Sequence, residues 1–200
     1  MNRKSHAVAL AGIALVFAAA AHAKPPAPSE LPKLYSAIQR TDAVVEGPAF
    51  PKRVLFVFFD ANCWYCHLTW KALQHYERAG LQVRWVPVAY QKDSSTTKAA
   101  AIMQAKDRGA AFRENEYKYL AESYDGGIAP AKPTKKVARL LDDNFFLMDR
   151  FGLSGTPGLV WKDKDGKVQT LLGMPRLSQL PEITGLPEQK IDDPELNDFR

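Results

Sequence analysis

Six consecutive apolar residues, Val54-Leu55-Phe56-Val57-Phe58-Phe59, constrain this chain more than any other feature. They are β-branched, aliphatic and aromatic, too few for a helix and without alternation, so they read as a strand buried on both faces. A strand buried on both faces needs a layer packed on each side. Asp60-Ala61-Asn62 breaks the run, Cys63 to Ala79 reads as a helix, and Gly80 ends it. Gln82 to Tyr90 is a second strand, in which Pro87 implies an edge or a bulge. The order strand, helix, strand predicts an α/β unit.

The rest of the chain fits around that unit. Arg3 and Lys4, the apolar stretch Ala7 to Ala21 and the Ala21-His22-Ala23 site read as a cleavable secretory signal over residues 1–23. Lys24 to Arg53 is an N-terminal extension with a Pro-rich start, a short helix over Leu31 to Arg40, and a strand or hairpin between Asp42 and Pro51. Residues 94–151 read as a helical insertion, built from Lys98 to Ala111, Arg113 to Ser123 and a last helix that Thr134 caps and Gly152 ends. That last helix is expected to bury Val137, Leu140, Leu141, Phe145 and Met148. Gly158 to Trp161 and Lys167 to Leu172 form a hairpin about Asp163-Lys164-Asp165-Gly166, with Trp161 and Trp85 in the core. Ser178 opens a short helix limited by Pro187. The main domain is thus placed at 54–188 and a flexible tail at 189–200. With 46% apolar and 24% charged residues the chain can build a real core. The formal charge of +5 falls to +3 once a leader carrying two cations and no acids is removed. Cations and acids are interleaved, so there is no stripe for nucleic acid.

The chain has two cysteines, in Cys63-Trp64-Tyr65-Cys66. A disulfide between them closes almost no loop, so it is a poor staple and points to chemistry or a bound group. Cys63 opens a helix, where unpaired N–H groups and the helix dipole stabilise a thiolate and lower its pKa. Cys66 shares a stripe with Trp70 and Leu73 that faces the sheet. Cys66 is then the shielded, resolving thiol and Cys63 the exposed nucleophile. His67 lies four residues after Cys63; either it is cationic and favours the thiolate, or it faces solvent without a task. His75 reads as surface, and Asp60 as the end of its strand.

FFDANCWYCHLTW, followed far downstream by Gly155-Thr156-Pro157-Gly158, resembles the periplasmic thioredoxin-fold DsbC/DsbG group, with Asn144 to Met148 and Gly173-Met174-Pro175 closer to the DsbG side. The resemblance spans roughly Val54 to Leu180. It implies a thioredoxin-like α/β fold with a helical insertion, and a thiol:disulfide isomerase or reductase that needs no cofactor or metal. It implies a cis Thr156-Pro157 bond against the cysteines, with Trp64, Tyr65, His67, Thr156 and Pro157 shaping the site. The partners it implies are periplasmic proteins carrying disulfides or oxidised cysteines, and a membrane electron donor of the DsbD type. Two departures stand out. Trp64 is bulky where the group carries a small residue or proline, placed to pack on a substrate or to shield Cys63. About 30 residues, Lys24 to Arg53, stand where the group has an N-terminal dimerisation domain, so a monomer is expected.

Other readings remain open on the residues alone. Cys63-Trp64-Tyr65-Cys66-His67 is also the attachment signal for c-type haem, with Met103, Met148 or Met174 opposite His67. Two thiolates and an imidazole, completed by an acid such as Asp60, could carry zinc or copper. A chaperone or binding module with a redox-silent pair is the non-enzymatic alternative.

Overall fold

The computed structural model describes residues 25–200; the leader expected at 1–23 lies outside them. One five-stranded sheet, in the order β1-β3-β2-β4-β5, organises the chain. The elements follow as α1 (Leu31–Ile38), β1 (Val44–Glu46), β2 (Arg53–Asp60), α2 (Trp64–Ala79) and β3 (Leu81–Val88), then α3 (Ser95–Gln104), α4 (Arg108–Tyr117) and α5 (Lys135–Arg150), then β4 (Gly158–Lys162), β5 (Val168–Leu172) and α6 (Leu180–Thr184). β2 lies in the middle, parallel to β3 and antiparallel to β4. β1 closes one edge against β3, and the β4–β5 hairpin closes the other.

The two-residue period of β2 divides the core. Leu55, Val57 and Phe59 point to one face, where they meet Cys66, Trp70 and Leu73 of α2 together with α3, α4 and α6. Phe56 and Phe58 point to the other, against Leu34, Tyr35 and Ile38 of α1 and Met148 of α5. This is why the run is continuous rather than alternating. Trp85 and Trp161 are in the first of these cores, as expected. Pro87 pairs with Phe59 on its β2 side, but β1 reaches only as far as Trp85, so Pro87 sits on a locally open edge. Its carbonyl accepts a hydrogen bond from the Asn144 side chain at 2.8 Å.

Several boundaries move. β1 is paired into the sheet, so residues 42–53 are part of the main fold and not a separate extension. The run expected over Lys98 to Ala111 breaks between α3 and α4, because Asp107 caps a new helix by accepting from the Ala110 N–H at 2.9 Å. Thr134 caps α5 through the Val137 N–H. The buried stripe of α5 is Val137, Leu141, Asn144 and Met148. That spacing turns Phe145 outward, contrary to expectation.

The tail expected to be flexible is docked. Residues 194–199 form a 3₁₀ turn that buries Leu196, and Ile191 is buried beside it. Lys71 of α2 pairs with both Asp193 and Glu195. The acidic composition that suggested a solvated tail supplies the counter-ions of this lysine. Leu196→Ala should therefore cost about 2–4 kcal/mol and open the tail to proteolysis, which thermal denaturation and limited digestion would show.

Glu77 ends the buried side of α2. Burial, and then the Glu46 carboxylate, push its carboxyl from 4.5 up to about 8, and its Oε1 has no hydrogen-bond partner among the described residues. A carboxyl raised in the folded state binds its proton more tightly there than in the unfolded chain. It is stabilising below about pH 4.5, and that contribution is lost as pH rises through about 8. Glu77→Gln should flatten the pH dependence in this window and raise the melting temperature at pH 8, by about 2–4 °C for each kcal/mol relieved.

Candidate active site

The candidate site lies where β2 runs into α2. β2 ends on Asp60, whose buried carboxylate accepts four hydrogen bonds. Oδ1 takes the Asn62 N–H at 2.9 Å and the Ser95 hydroxyl at 2.7 Å. Oδ2 takes the Tyr90 and Gln91 N–H groups at 2.8 and 3.1 Å. Asn62 is fixed just as fully. Its amide donates to the Ser94 and Ser95 hydroxyls, its side-chain oxygen accepts from Lys98 and the Gly126 N–H, and its carbonyl accepts from the Tyr119 hydroxyl at 2.7 Å. Asn115 donates to the Ala61 carbonyl at 3.0 Å. Burial, then the carboxylates of Glu116, Asp125 and Asp60, push the Tyr119 phenol upward, so it remains a donor. The insertion thus supplies the clamp that sets the Asp60–Asn62 turn. Gly126 is part of it, since a Cβ there would collide with the Ala61 carbonyl and the Asn115 side chain. None of Ser94, Ser95, Lys98, Asn115 or Tyr119 stood out in the sequence. Asp125-Gly126-Gly127 did stand out, as an interruption of the helices.

Cys63 is the N-cap of α2, with an extended backbone, and its Sγ accepts the Cys66 N–H at 3.1 Å. The two cysteines are joined by a disulfide. Thr156-Pro157 is cis, and the Thr156 carbonyl oxygen lies 3.4 Å from the Cys63 sulfur. Thr156 is held in turn by Tyr90: its N–H donates to the tyrosine oxygen at 2.9 Å, and its hydroxyl lies 3.1 Å from the same atom. Gln91 donates to the Thr156 hydroxyl at 2.9 Å. The Pro157 carbonyl accepts from the Gly173 N–H at 2.8 Å, which ties the cis-proline turn to the end of β5.

The expected contrast between an exposed and a shielded cysteine is absent. Cys63 is 2% exposed and Cys66 3%. As the N-cap, Cys63 curls its sulfur back over the first turn and under the Thr156 carbonyl, so exposure does not separate the two. Hydrogen bonding does, because the Cys63 sulfur takes the helix N–H.

His67 is not solvent-facing. It is buried, with Nδ1 3.0 Å from Glu116 Oε2. Its ring stacks on Tyr119 at 4.7 Å and on Trp64 at 5.5 Å. Trp64, half-buried, also meets Tyr119 and Tyr124, so it packs on the insertion of its own chain. Tyr65 points outward, its ring edge-on to Phe199 of the docked tail. His75 is half-buried beside Arg78.

These contacts do not suit the metal readings. A haem plane has no room against a His67 ring sandwiched between aromatic neighbours. Met103 and Met148 are buried in different cores, and Met174 accepts the Thr69 hydroxyl at 3.4 Å. Asp60, the acid a zinc site would need, has both oxygens fully engaged.

Comparison with known proteins places this geometry. Residues 42–183 match the model of a thioredoxin-like domain. The chain is 29% identical over 155 residues to the thiol:disulfide interchange protein DsbG of Pseudomonas aeruginosa, covering 76% of this chain and 59% of that protein. It is 26% identical to DsbG of Escherichia coli, covering 76% and 61%. It therefore spans about three fifths of the length of these curated relatives. Among solved structures, a periplasmic thioredoxin-like protein from Salmonella enterica serovar Typhimurium superposes with a TM-score of 0.61 at 20% identity, covering 76% of this chain and 93% of that one. The fold, with its mixed five-stranded sheet and helical insertion, is thioredoxin-like, and the chain belongs to the thioredoxin-like domain family.

Proposed function

We propose that this protein is a periplasmic thiol:disulfide oxidoreductase of the reductase and isomerase type, with Cys63 as nucleophile and Cys66 as resolving thiol. The observation that carries the reading is the Cys63 sulfur at the N-terminus of α2, accepting the Cys66 N–H at 3.1 Å and facing the Thr156 carbonyl at 3.4 Å. In the reduced protein that N–H and the helix dipole stabilise a Cys63 thiolate. The thiolate attacks one sulfur of a substrate disulfide, forms a mixed disulfide and expels the other sulfur as a thiolate. The Cys66 thiolate then attacks the Cys63 sulfur and releases the substrate as a dithiol, leaving Cys63–Cys66 oxidised. A substrate sulfenic acid condenses with the Cys63 thiolate with loss of water, and the same second step follows.

The two electrons passed to substrate must be replaced, which calls for a membrane electron donor of the DsbD type. The leader-like N-terminus and the DsbG relatives support the periplasmic placement and the reducing direction. In this reading Tyr65 and Thr156 border the surface that a substrate meets, with Trp64, His67 and Pro157 supporting it from behind. A monomer is proposed as well, because α1 spends Leu34, Tyr35 and Ile38 on its own core rather than on a partner.

Cys63→Ser should abolish exchange with small and protein disulfides, whereas Cys66→Ser should accumulate mixed disulfides that a gel without reductant resolves; retained exchange in Cys63→Ser would reverse the two roles. The reduction potential of the pair decides direction, and a strongly oxidising value would assign the protein to the oxidases. Sedimentation at micromolar concentration should return the mass of one chain.

A further inference from the structure

The end of the sheet that carries Cys63 also carries aromatic surface that disulfide exchange does not use. Tyr90 is 43% exposed, Phe145 45%, Phe146 61% and Leu172 49%. Single exposed apolar residues are ordinary, but contiguous ones mark an interaction surface. These are contiguous. The rings of Tyr90 and Phe145 meet edge-on at 5.7 Å. Phe145, Phe146 and Tyr90 line a groove of about 430 Å³ whose floor includes Ala138 and Leu141. Leu172 rises on the far side of Gly155, where an added Cβ would stand 3.6 Å from Leu172 and 3.7 Å from the Tyr90 oxygen. Gly155 thus lies between Leu172 and Tyr90 on the turn that leads into Thr156.

The groove is wired to the cysteines through Tyr90. Its ring is a wall of the groove and its oxygen holds Thr156, whose carbonyl faces the Cys63 sulfur. A polypeptide reacting at Cys63 would pass Thr156 and Tyr90, and so meet the mouth of the groove close to its own cysteine.

The charge of the groove is one-signed. Among the described residues, Asp142 and Asp149 line it and no lysine or arginine does. The two acids stand seven positions apart on α5, one on either side of Phe145 and Phe146, on the helix face that Phe145 turns outward. Arg150, adjacent in sequence, pairs with Glu30 at 3.3 Å, and its guanidinium lies over the Phe146 ring at 6.0 Å. Apolar walls flanked by two carboxylates favour an apolar occupant with cationic ends.

We propose that this groove docks an extended segment of the client polypeptide, apolar in the middle and flanked by lysine or arginine, beside the cysteine that reacts with Cys63. The proposal deepens the exchange reading and rests on it, so the test separates the two. Binding is measured by fluorescence anisotropy on the full chain, with labelled nonapeptides in which serine replaces cysteine and an apolar core is flanked by lysines or by glutamates. The lysine peptide should bind about tenfold more tightly than the glutamate peptide, and more weakly as salt rises. Asp142→Asn with Asp149→Asn should erase most of that preference, and Phe146→Ser should weaken both peptides. Equal binding of the two peptides, or a preference that survives in the double variant, would overturn the proposal. So would a concentration-dependent dimer that Phe146→Ser abolishes, since the groove would then belong to a second copy of this chain. Reduction of hydroxyethyl disulfide, too small to fill the groove, is followed in parallel and should be unchanged in both variants. Its absence in the unaltered protein, with peptide preference intact, would sink the exchange reading and leave the docking surface standing.

Discussion

A strand that is apolar to its last residue must stop and hand the chain to a helix without leaving buried backbone groups unpaired. Asp60 and Asn62 solve this at the end of β2. Four hydrogen bonds converge on one carboxylate, and five more on one asparagine, at positions almost fully removed from water. Buried polar groups are costly when unpaired and rigidifying when all are satisfied. This cluster is satisfied throughout, and it fixes the point from which Cys63 starts α2. The Tyr90 and Gln91 N–H groups held by Asp60 lead directly to the side chains that hold Thr156. One carboxylate therefore sets both sides of the site, the start of the Cys63 helix and the cis-proline turn.

The insertion takes on a function from this arrangement. Ser94 and Ser95 at the start of α3, Lys98 within it, Asn115 and Tyr119 around the end of α4, and Gly126 in the following loop all close on the same three residues. Tyr119 also stacks under His67, and Tyr124 meets Trp64. The bulky residue between the cysteines is thereby absorbed into an aromatic stack that the insertion supplies. Glu116, from the same segment, faces His67 and fixes the ring that Trp64 rests on. A smaller residue at position 64 would leave that stack without its outer ring.

The sheet separates these tasks by face. The α2 face carries the cysteines and the polar clamp. The opposite face carries α1 and the end of α5 at Met148, while Val137 and Leu141 at its start join the α2-side core, and the outward side of α5 presents Phe145 and Phe146. Tyr90, just past the end of β3, is the residue at which the two faces communicate, with its ring on one side and its oxygen on Thr156.

Much of this was legible in the chain. The Val54–Phe59 run named the central strand, because only a strand covered on both faces needs six apolar residues in succession. The cysteine spacing named the chemistry, because so short a loop is a poor staple. Gly80, Thr134 and Asp163 to Gly166 marked a helix end, a helix start and a turn through backbone requirements that are local. What failed was non-local. Residues 191–200 looked solvated because they are acidic, and Lys71, the cation that holds them, lies about 120 positions away. His67 was readable as a helical neighbour of Cys63, but not as the partner of Glu116. The exposure of the two cysteines could not be ranked, because the Thr156 carbonyl that covers Cys63 arrives from the far end of the fold. The sequence by itself determined the central strand, the helix and strand that follow it and the placing of two cysteines within one helical turn, since these depend on periodicity and local spacing. Only the tertiary structure decided which polar side chains converge on Asp60 and Asn62 and which aromatic rings remain outside, because burial and charge pairing there are set by residues that meet only once the sheet has closed.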